Sequence, residues 1–201
     1  MLTKSLGRLE TQQARLAKIY EPHILELTTF VEYLKELKGS AFRIPYFDPL
    51  DGGVVARALF ILEAPGPKAV VSNFVSRDNP DQTAENFSKL LNEAGFRRTE
   101  TLLWNIVPWY IGSDQKIRPA SNPDILEGFN YLKEMMKLLK RLDLVVLVGK
   151  KACKIKPNLF EYLPSLRIFE SYHPSPQFIN RKSENREILL GQLRDARSSL
   201  K

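Results

Sequence analysis

An α/β fold is predicted: a three-layer αβα sandwich around a central, mostly parallel four-stranded sheet, with helices added at the N-terminus. Three observations predict it. Short apolar runs at 57–62, 101–107, 144–148 and 166–169 read as strands, the first nearly continuous in the way of a strand buried on both faces. Segments with helical spacing alternate with them. Right-handed crossovers through those segments then bring the strands together in parallel, with helices on both faces.

The elements follow in order. Residues 5–38 read as helices, with Leu6, Leu9 and Leu16 on one face, a break at Pro22, and Ile24, Leu27, Val31 and Leu34 on the next. Gly39 supplies the stop, and His23 beside the break reads as a capping or exposed residue. Residues 40–53, with Pro45, Pro49 and Asp51-Gly52-Gly53, form a loop and turn. After the strand Arg57–Leu62, Asn79-Pro80 opens a helix with Gln82 at capping-box spacing. Its inner face is Ala84, Phe87, Leu91 and Ala94, and Gly95 ends it. The strand Thr101–Val107 precedes a helix opened by Asn122-Pro123, with Ile125, Phe129, Leu132, Met136 and Leu139 inward. Strands Leu144–Val148 and Leu166–Phe169 complete the sheet. A last helix over 183–198 buries Ile188, Leu189 and Leu193. Neither an internal repeat nor a linker is visible, so residues 1–201 are expected to form one domain with 1–40 as a helical extension packed on it.

The 201-residue chain is 43% hydrophobic and 26% charged, a balance that argues against long disorder. No apolar stretch approaches the roughly 18 residues of a membrane span. The start, Met1-Leu2-Thr3-Lys4-Ser5-Leu6-Gly7, lacks the apolar core of a secretion signal, so a cytoplasmic, membrane-free protein is expected, and a monomer. Cys153 is the one cysteine, and His23 and His173 are the only histidines. An internal disulfide, a structural zinc set and an iron–sulfur cradle are thereby excluded, and neither metal nor cofactor is expected. Cys153 reads as a buried structural thiol. The net charge of +7 favours a polyanionic partner. Lys150, Lys151, Lys154 and Lys156 follow one strand end, and Arg181, Lys182 and Arg186 follow the histidine cluster. Each patch alone also reads as a solvated helix face.

Four polar clusters stand at the tails of the strands: Glu63-Ala64-Pro65-Gly66, Asn105 with Pro108-Trp109, Gly149-Lys150-Lys151, and His173-Pro174-Ser175-Pro176. Ligands of open α/β sheets bind outside the carboxyl ends of the strands, so the repetition carries more than any one motif. Glu63 reads either as a catalytic carboxylate or as a solvated loop residue. Pro65-Gly66-Pro67 makes a rigid turn that brings backbone close to a ligand phosphate. Asn105 is poor strand material and costly to bury unpaired; its amide suits the edge of a pyrimidine, or pins a loop. His173 sits in a stiff loop that would hold a neutral imidazole against developing negative charge, with Ser175 donating to a phosphate. Trp104 and Trp109 read mostly as core, although one of them could border the pocket.

At these residues the chain resembles the uracil-DNA glycosylase superfamily. That group carries a Gly-Glu-Ala-Pro-Gly type motif after its first strand and a His-Pro-Ser type motif after its last. Here they stand as Leu62-Glu63-Ala64-Pro65-Gly66 and His173-Pro174-Ser175-Pro176, and Phe74 and Asn105 match the base-stacking aromatic and the base-reading asparagine between them. The resemblance covers about residues 57–195. It implies a monofunctional glycosylase of base-excision repair that hydrolyses the N-glycosidic bond of uracil, or a related deaminated base, flipped out of single- or double-stranded DNA. In that implication Glu63 and His173 are catalytic, and Phe74 and Asn105 hold the base. Pro65, Gly66 and Ser175 grip phosphates, Gln177 and Phe178 wedge into the gap, and Lys150 and Arg181 add basic contacts.

Two departures bear on the chemistry. Leu62 stands where the family has glycine, and Ala64 where some branches carry a catalytic aspartate or asparagine. The motif is most similar to that of the branch holding an iron–sulfur cluster on four cysteines, which one cysteine cannot supply. Two other readings stay open: a non-catalytic module of the same fold that binds nucleic acid or a damaged base, and an α/β enzyme on a small phosphorylated nucleotide. The latter would use Gly149-Lys150-Lys151 as an anion site, although the phosphate-loop spacing is absent.

Overall fold

The computed structural model describes residues 3–113 and 117–200; residues 1 and 2 of the start read above, and residue 201, lie outside the described residues. In chain order the elements are α1 (Leu9–Leu16), α2 (Leu25–Lys38), β1 (Tyr46–Phe47), β2 (Ala58–Leu62), α3 (Pro67–Ser72), β3 (Phe74–Val75) and α4 (Gln82–Glu93). They continue as β4 (Thr101–Asn105), α5 (Asn122–Met136), β5 (Leu144–Val148), α6 (Lys156–Tyr162), β6 (Arg167–Ser171), α7 (Pro176–Ile179) and α8 (Asn185–Ser198). The main sheet has four strands in the order β4-β2-β5-β6, all parallel, and β1 pairs with β3 in a small parallel sheet beside β4.

The runs read as strands are strands because their side chains have somewhere apolar to go on both faces. β4 and β5 are buried throughout, and β2 is buried up to Leu62. Phe60 sits edge-on to Phe87 of α4, and α4 packs on α8, which also contacts β6. Trp104 points to the opposite face and stacks on Phe47 of β1 at 3.9 Å, with α2 packed on β1. β6 is the outer strand, and Arg167 and Glu170 stay exposed on it, which blunts the edge against further pairing. Close approach of α5 to the end of β4 requires Gly128: a Cβ there would lie 1.8 Å from the Ile106 carbonyl oxygen.

Helix ends differ from expectation in one informative place. α4 is capped by Asp81, whose Oδ1 accepts the Ala84 N–H at 2.9 Å, and does not open at Asn79-Pro80. Asn79 is engaged elsewhere, accepting from Ser72 Oγ at 2.6 Å and donating to the Phe74 carbonyl at 2.9 Å. α5 does open as read, with Ser121 and Asp124 forming a capping box. Strand β4 ends at Asn105, although the Ile106 and Val107 amides still reach the Leu62 and Glu63 carbonyls. Two apolar positions also depart. Leu9 is 67% exposed and Ile188 45% exposed, because Leu6 and Ile19 anchor the α1 region and Leu189, Leu190 and Leu193 already fill the inner face of α8.

The N-terminal helices are tied to the sheet in two ways. Ile24, Leu27, Val31 and Leu34 are fully buried in the main core. Arg15 of α1 enters a buried ionic network with Asp48, Asp78 and Arg98. Arg98 donates to Asp51 at 2.9 Å, to Asp78 at 2.7 Å and to Asp48 at 2.6 Å, so one guanidinium joins three carboxylates. Although burial opposes it, the Arg98 and Arg15 charges hold Asp48 below the usual carboxylate range. Burial pushes Asp51 up to about 6, since Arg77 and Arg98 offset only part of its lost hydration. Removing one member strands the others. Arg98→Ala is therefore expected to cost about 3–5 kcal/mol in urea unfolding, and a loss below about 1 kcal/mol would show that the network does not hold the fold.

Candidate active site at the carboxyl edge of the sheet

Register brings the polar clusters together. Leu62 pairs with Asn105, Ile61 with Leu147, and Val148 with Ser171, so the four strands stop nearly flush. The chain leaving them opens a cavity of about 510 Å³ whose lining includes Glu63, Pro65, Gly66, Asp81, Asn105 and His173. Leu62, Val75, Phe87 and Leu103 supply apolar wall.

Glu63 follows directly on β2. Its Oε1 accepts the Ala120 N–H at 2.7 Å, and its own carbonyl accepts from Val107 at 3.0 Å, so both ends of the residue are fixed. Lys151 donates to the Ala120 carbonyl from the other side, which braces that turn. Gly66 has φ −77 and ψ 170, a conformation open to any residue, and a Cβ there would meet nothing within 4 Å. Folding does not require glycine at this point; what its absent side chain leaves is clear approach to the cavity. Asn105, 3% exposed, ends β4 with its amide free of hydrogen-bond partners among the described residues.

His173 depends on Gly149. That glycine has φ +86, and a Cβ on it would stand 3.1 Å from the histidine Cβ, so a side chain would be both strained and crowded. The Gly149 N–H donates to the Ser171 carbonyl at 2.8 Å, and Asn86 of α4 donates to the Pro174 carbonyl at 3.1 Å; together they clamp the loop on both sides of the imidazole. Burial lowers the His173 pKa below its ordinary value, while the negative charges of Glu63 and Asp81 oppose that shift. The net shift favours the neutral ring, which keeps one N–H to donate.

Glu63, Pro65, Gly66, Asn105 and His173 meet at one cavity. Phe74 does not. Its ring is fully buried against Leu6 and Ile19, because β3 pairs in register with Tyr46-Phe47 and alternation turns Val75, not Phe74, toward the cavity. The expected stacking ring is therefore absent from that wall. Phe178 is no free wedge either, since it stacks on Tyr172 at 4.5 Å and packs on the core, whereas Gln177 is exposed. Ser175 caps α7 through the Phe178 N–H at 3.3 Å, and Lys150 and Arg181 lie exposed outside the cavity lining. Sequence reasoning missed Asp81, Arg77 and Arg118 in the lining. Arg118 is held bidentate by Asp124 at 2.6 and 3.0 Å. The sole visible signal was the helix-cap spacing of Asp81 to Ala84.

Cys153 is half-buried, and its thiol donates to the Leu147 carbonyl at 3.6 Å. Burial, then the Glu170 charge, pushes its pKa up to about 11. A four-thiolate cluster does not fit this chain, and among the described residues there is no group of three or more His, Cys, Asp or Glu side chains able to hold a metal.

Fold and cavity define a class: an open parallel α/β protein with its site at the carboxyl edge of the sheet. The chain belongs to the uracil DNA glycosylase superfamily, whose profile matches residues 50–196. A curated relative, the Type-4 uracil-DNA glycosylase of Thermotoga maritima, is 23% identical over 167 residues, covering 75% of this chain and 81% of its own. Among solved structures, the wild-type UNG of Nitratifractor salsuginis superposes with a TM-score of 0.50 at 12% identity, over 96% of this chain and 98% of that one. A mutant of the same UNG gives 0.44 at 13% identity, over 92% and 98%. At 12% identity the likeness to the wild-type structure is one of fold.

The charge balance around His173 is open to direct measurement. Its imidazole is expected to titrate below pH 6.5 in a proton–carbon NMR series, remaining neutral at pH 7. A midpoint above 6.5 would mean that the two carboxylates outweigh burial.

Proposed function

We propose that this protein excises uracil, or a related deaminated base, from DNA by hydrolysing the N-glycosidic bond of a flipped nucleotide. One observation carries the reading: in a chain of the uracil DNA glycosylase superfamily, Glu63, Asn105 and His173, far apart in sequence, line one cavity. Such a base cannot be attacked within the stack, so it is everted into the cavity at a cost of a few kcal/mol. The Asn105 amide offers one donor and one acceptor to the base edge, and uracil presents a complementary pair. Neutral His173 donates to the oxygen on which charge collects as the base departs as an anion. The sugar left behind is oxocarbenium-like, and the Glu63 carboxylate offsets its charge or orients water.

The DNA side of the reading draws on simpler physics. The turn at Pro65-Gly66 and the Ser175 hydroxyl, whose oxygen accepts a backbone N–H while its proton stays free to donate, are the phosphate contacts. The net charge of +7, with Lys150 and Arg181 exposed, attracts the backbone, and Gln177 is left to probe the emptied stack.

A second reading is favoured by a specific observation: Phe74 is buried away from the cavity and Ala64 brings no polar group to it. On that reading the protein binds damaged DNA without cleaving the glycosidic bond. Incubation with uracil-, hypoxanthine- and xanthine-containing oligonucleotides, single- and double-stranded, followed by alkali, separates the two. Strand scission supports excision. Salt-sensitive binding without scission on any substrate supports the binding module.

Two substitutions sort the roles. His173→Ala should slow base release by about 10²-fold or more, and wild-type turnover would remove His173 from the mechanism. Asn105→Asp should change the preference between uracil and cytosine by about tenfold or more while DNA affinity is retained; an unaltered preference would count against base reading.

A further inference from the structure

We propose that Asp81 is a further catalytic carboxylate of this cavity, the base that takes the proton of the attacking water. The proposal rests on the glycosylase reading and adds a residue to it.

Glu63 and Asp81 are the acidic side chains of the cavity lining among the described residues. They are held differently. Glu63 Oε1 is fixed by the Ala120 N–H. Asp81 uses Oδ1 to cap α4 through the Ala84 N–H at 2.9 Å, which leaves Oδ2 without a partner among the described residues. The capped helix is itself anchored to the histidine loop, because Asn86, one turn further along α4, donates to the Pro174 carbonyl at 3.1 Å. Asp81 is therefore rigidly related to His173, and both its charge and that of Glu63 act on the imidazole. The position after Glu63 is Ala64, which offers no group to water. Lys68, Arg77 and Arg118 also line the cavity, but cations cannot accept a proton.

The step balances without redox chemistry. The bond from C1′ to the base nitrogen breaks and its electron pair leaves with the base, whose anion accepts a hydrogen bond from His173. The ring oxygen shares its lone pair with C1′. Water adds through oxygen to C1′, and one of its protons passes to Asp81 Oδ2. That proton later returns through solvent to the departing base. One water is consumed, and free base and an abasic sugar are formed, with Glu63 left to offset the positive charge of the sugar.

A cap-only role and a catalytic role make different demands on this position. Asparagine and serine both cap helices about as well as aspartate, so Asp81→Asn and Asp81→Ser should preserve the melting temperature and DNA affinity. Both should slow single-turnover base release by about 10²-fold or more, as loss of a general base does. A second readout avoids activity: in Asp81→Asn the His173 NMR midpoint should move to lower pH, because one facing negative charge is gone. Active wild-type protein with Asp81→Asn and Asp81→Ser at full rate would overturn the role of Asp81 alone. An unshifted histidine midpoint would overturn the geometry on which it stands. Wild-type protein that releases no base from any substrate would defeat the glycosylase reading, and the proton transfer with it.

Discussion

Asp48 has no contact with water, and what it binds decides how the N-terminal third of the chain meets the rest. It accepts from Arg15, Arg98 and Ser76, and through Arg98 it is joined to Asp51 and Asp78. Each of these groups would lose several kcal/mol of hydration if buried alone. Together they are tolerable in few relative positions, which is what a specifying contact requires. The loop over 76–81 is where this matters for the site. Ser76 and Asp78 are tied into the ionic network, while Ser76, Arg77, Asn79 and Asp81 form one wall of the cavity. The wall is thus held from behind by α1, which lies outside the stretch that matches the family profile. Arg77 shows the cost: it donates to Thr101, yet its Nε and Nη1 lack hydrogen-bond partners, with Nε 3.8 Å from Asp51.

The site itself balances two opposed effects of dry surroundings. Leu62, Val75, Phe87 and Leu103 give the cavity an apolar wall, and burial there penalises a charged imidazole. Glu63 and Asp81 pull the other way. A donor that stays neutral while facing two carboxylates can respond strongly to negative charge created nearby, because no solvent has to reorganise first. Gly149 makes this possible in a purely steric manner, by admitting the histidine loop where any side chain would repel it.

Much of this was legible in the chain. Uninterrupted apolar runs specify buried parallel strands, and the polar residue that ends each run marks the carboxyl edge, so Glu63, Asn105 and His173 could be grouped before any coordinates. Phe74 could not be placed that way. In a two-residue strand a single step of register exchanges the inward and outward side chains, and Val75 is just as apolar. The ionic network was invisible for a different reason: Arg15, Asp48, Asp78 and Arg98 are separated by up to 63 residues in their pairings, and each alone reads as a solvated surface charge. Asp81 was hidden by its neighbours, since Asn79-Pro80 carries an equally good start signal and only the tie of Asn79 to Ser72 and Phe74 removes it from competition.

The single sulfhydryl has a chemical consequence of its own. With burial and the Glu170 charge pushing Cys153 up to about 11, its thiol stays protonated at pH 7. Peroxide and alkylating reagents attack the thiolate, so both should react slowly with this side chain. Oxidative stress, a common source of injury to thiol-dependent enzymes, has little purchase on it through this residue.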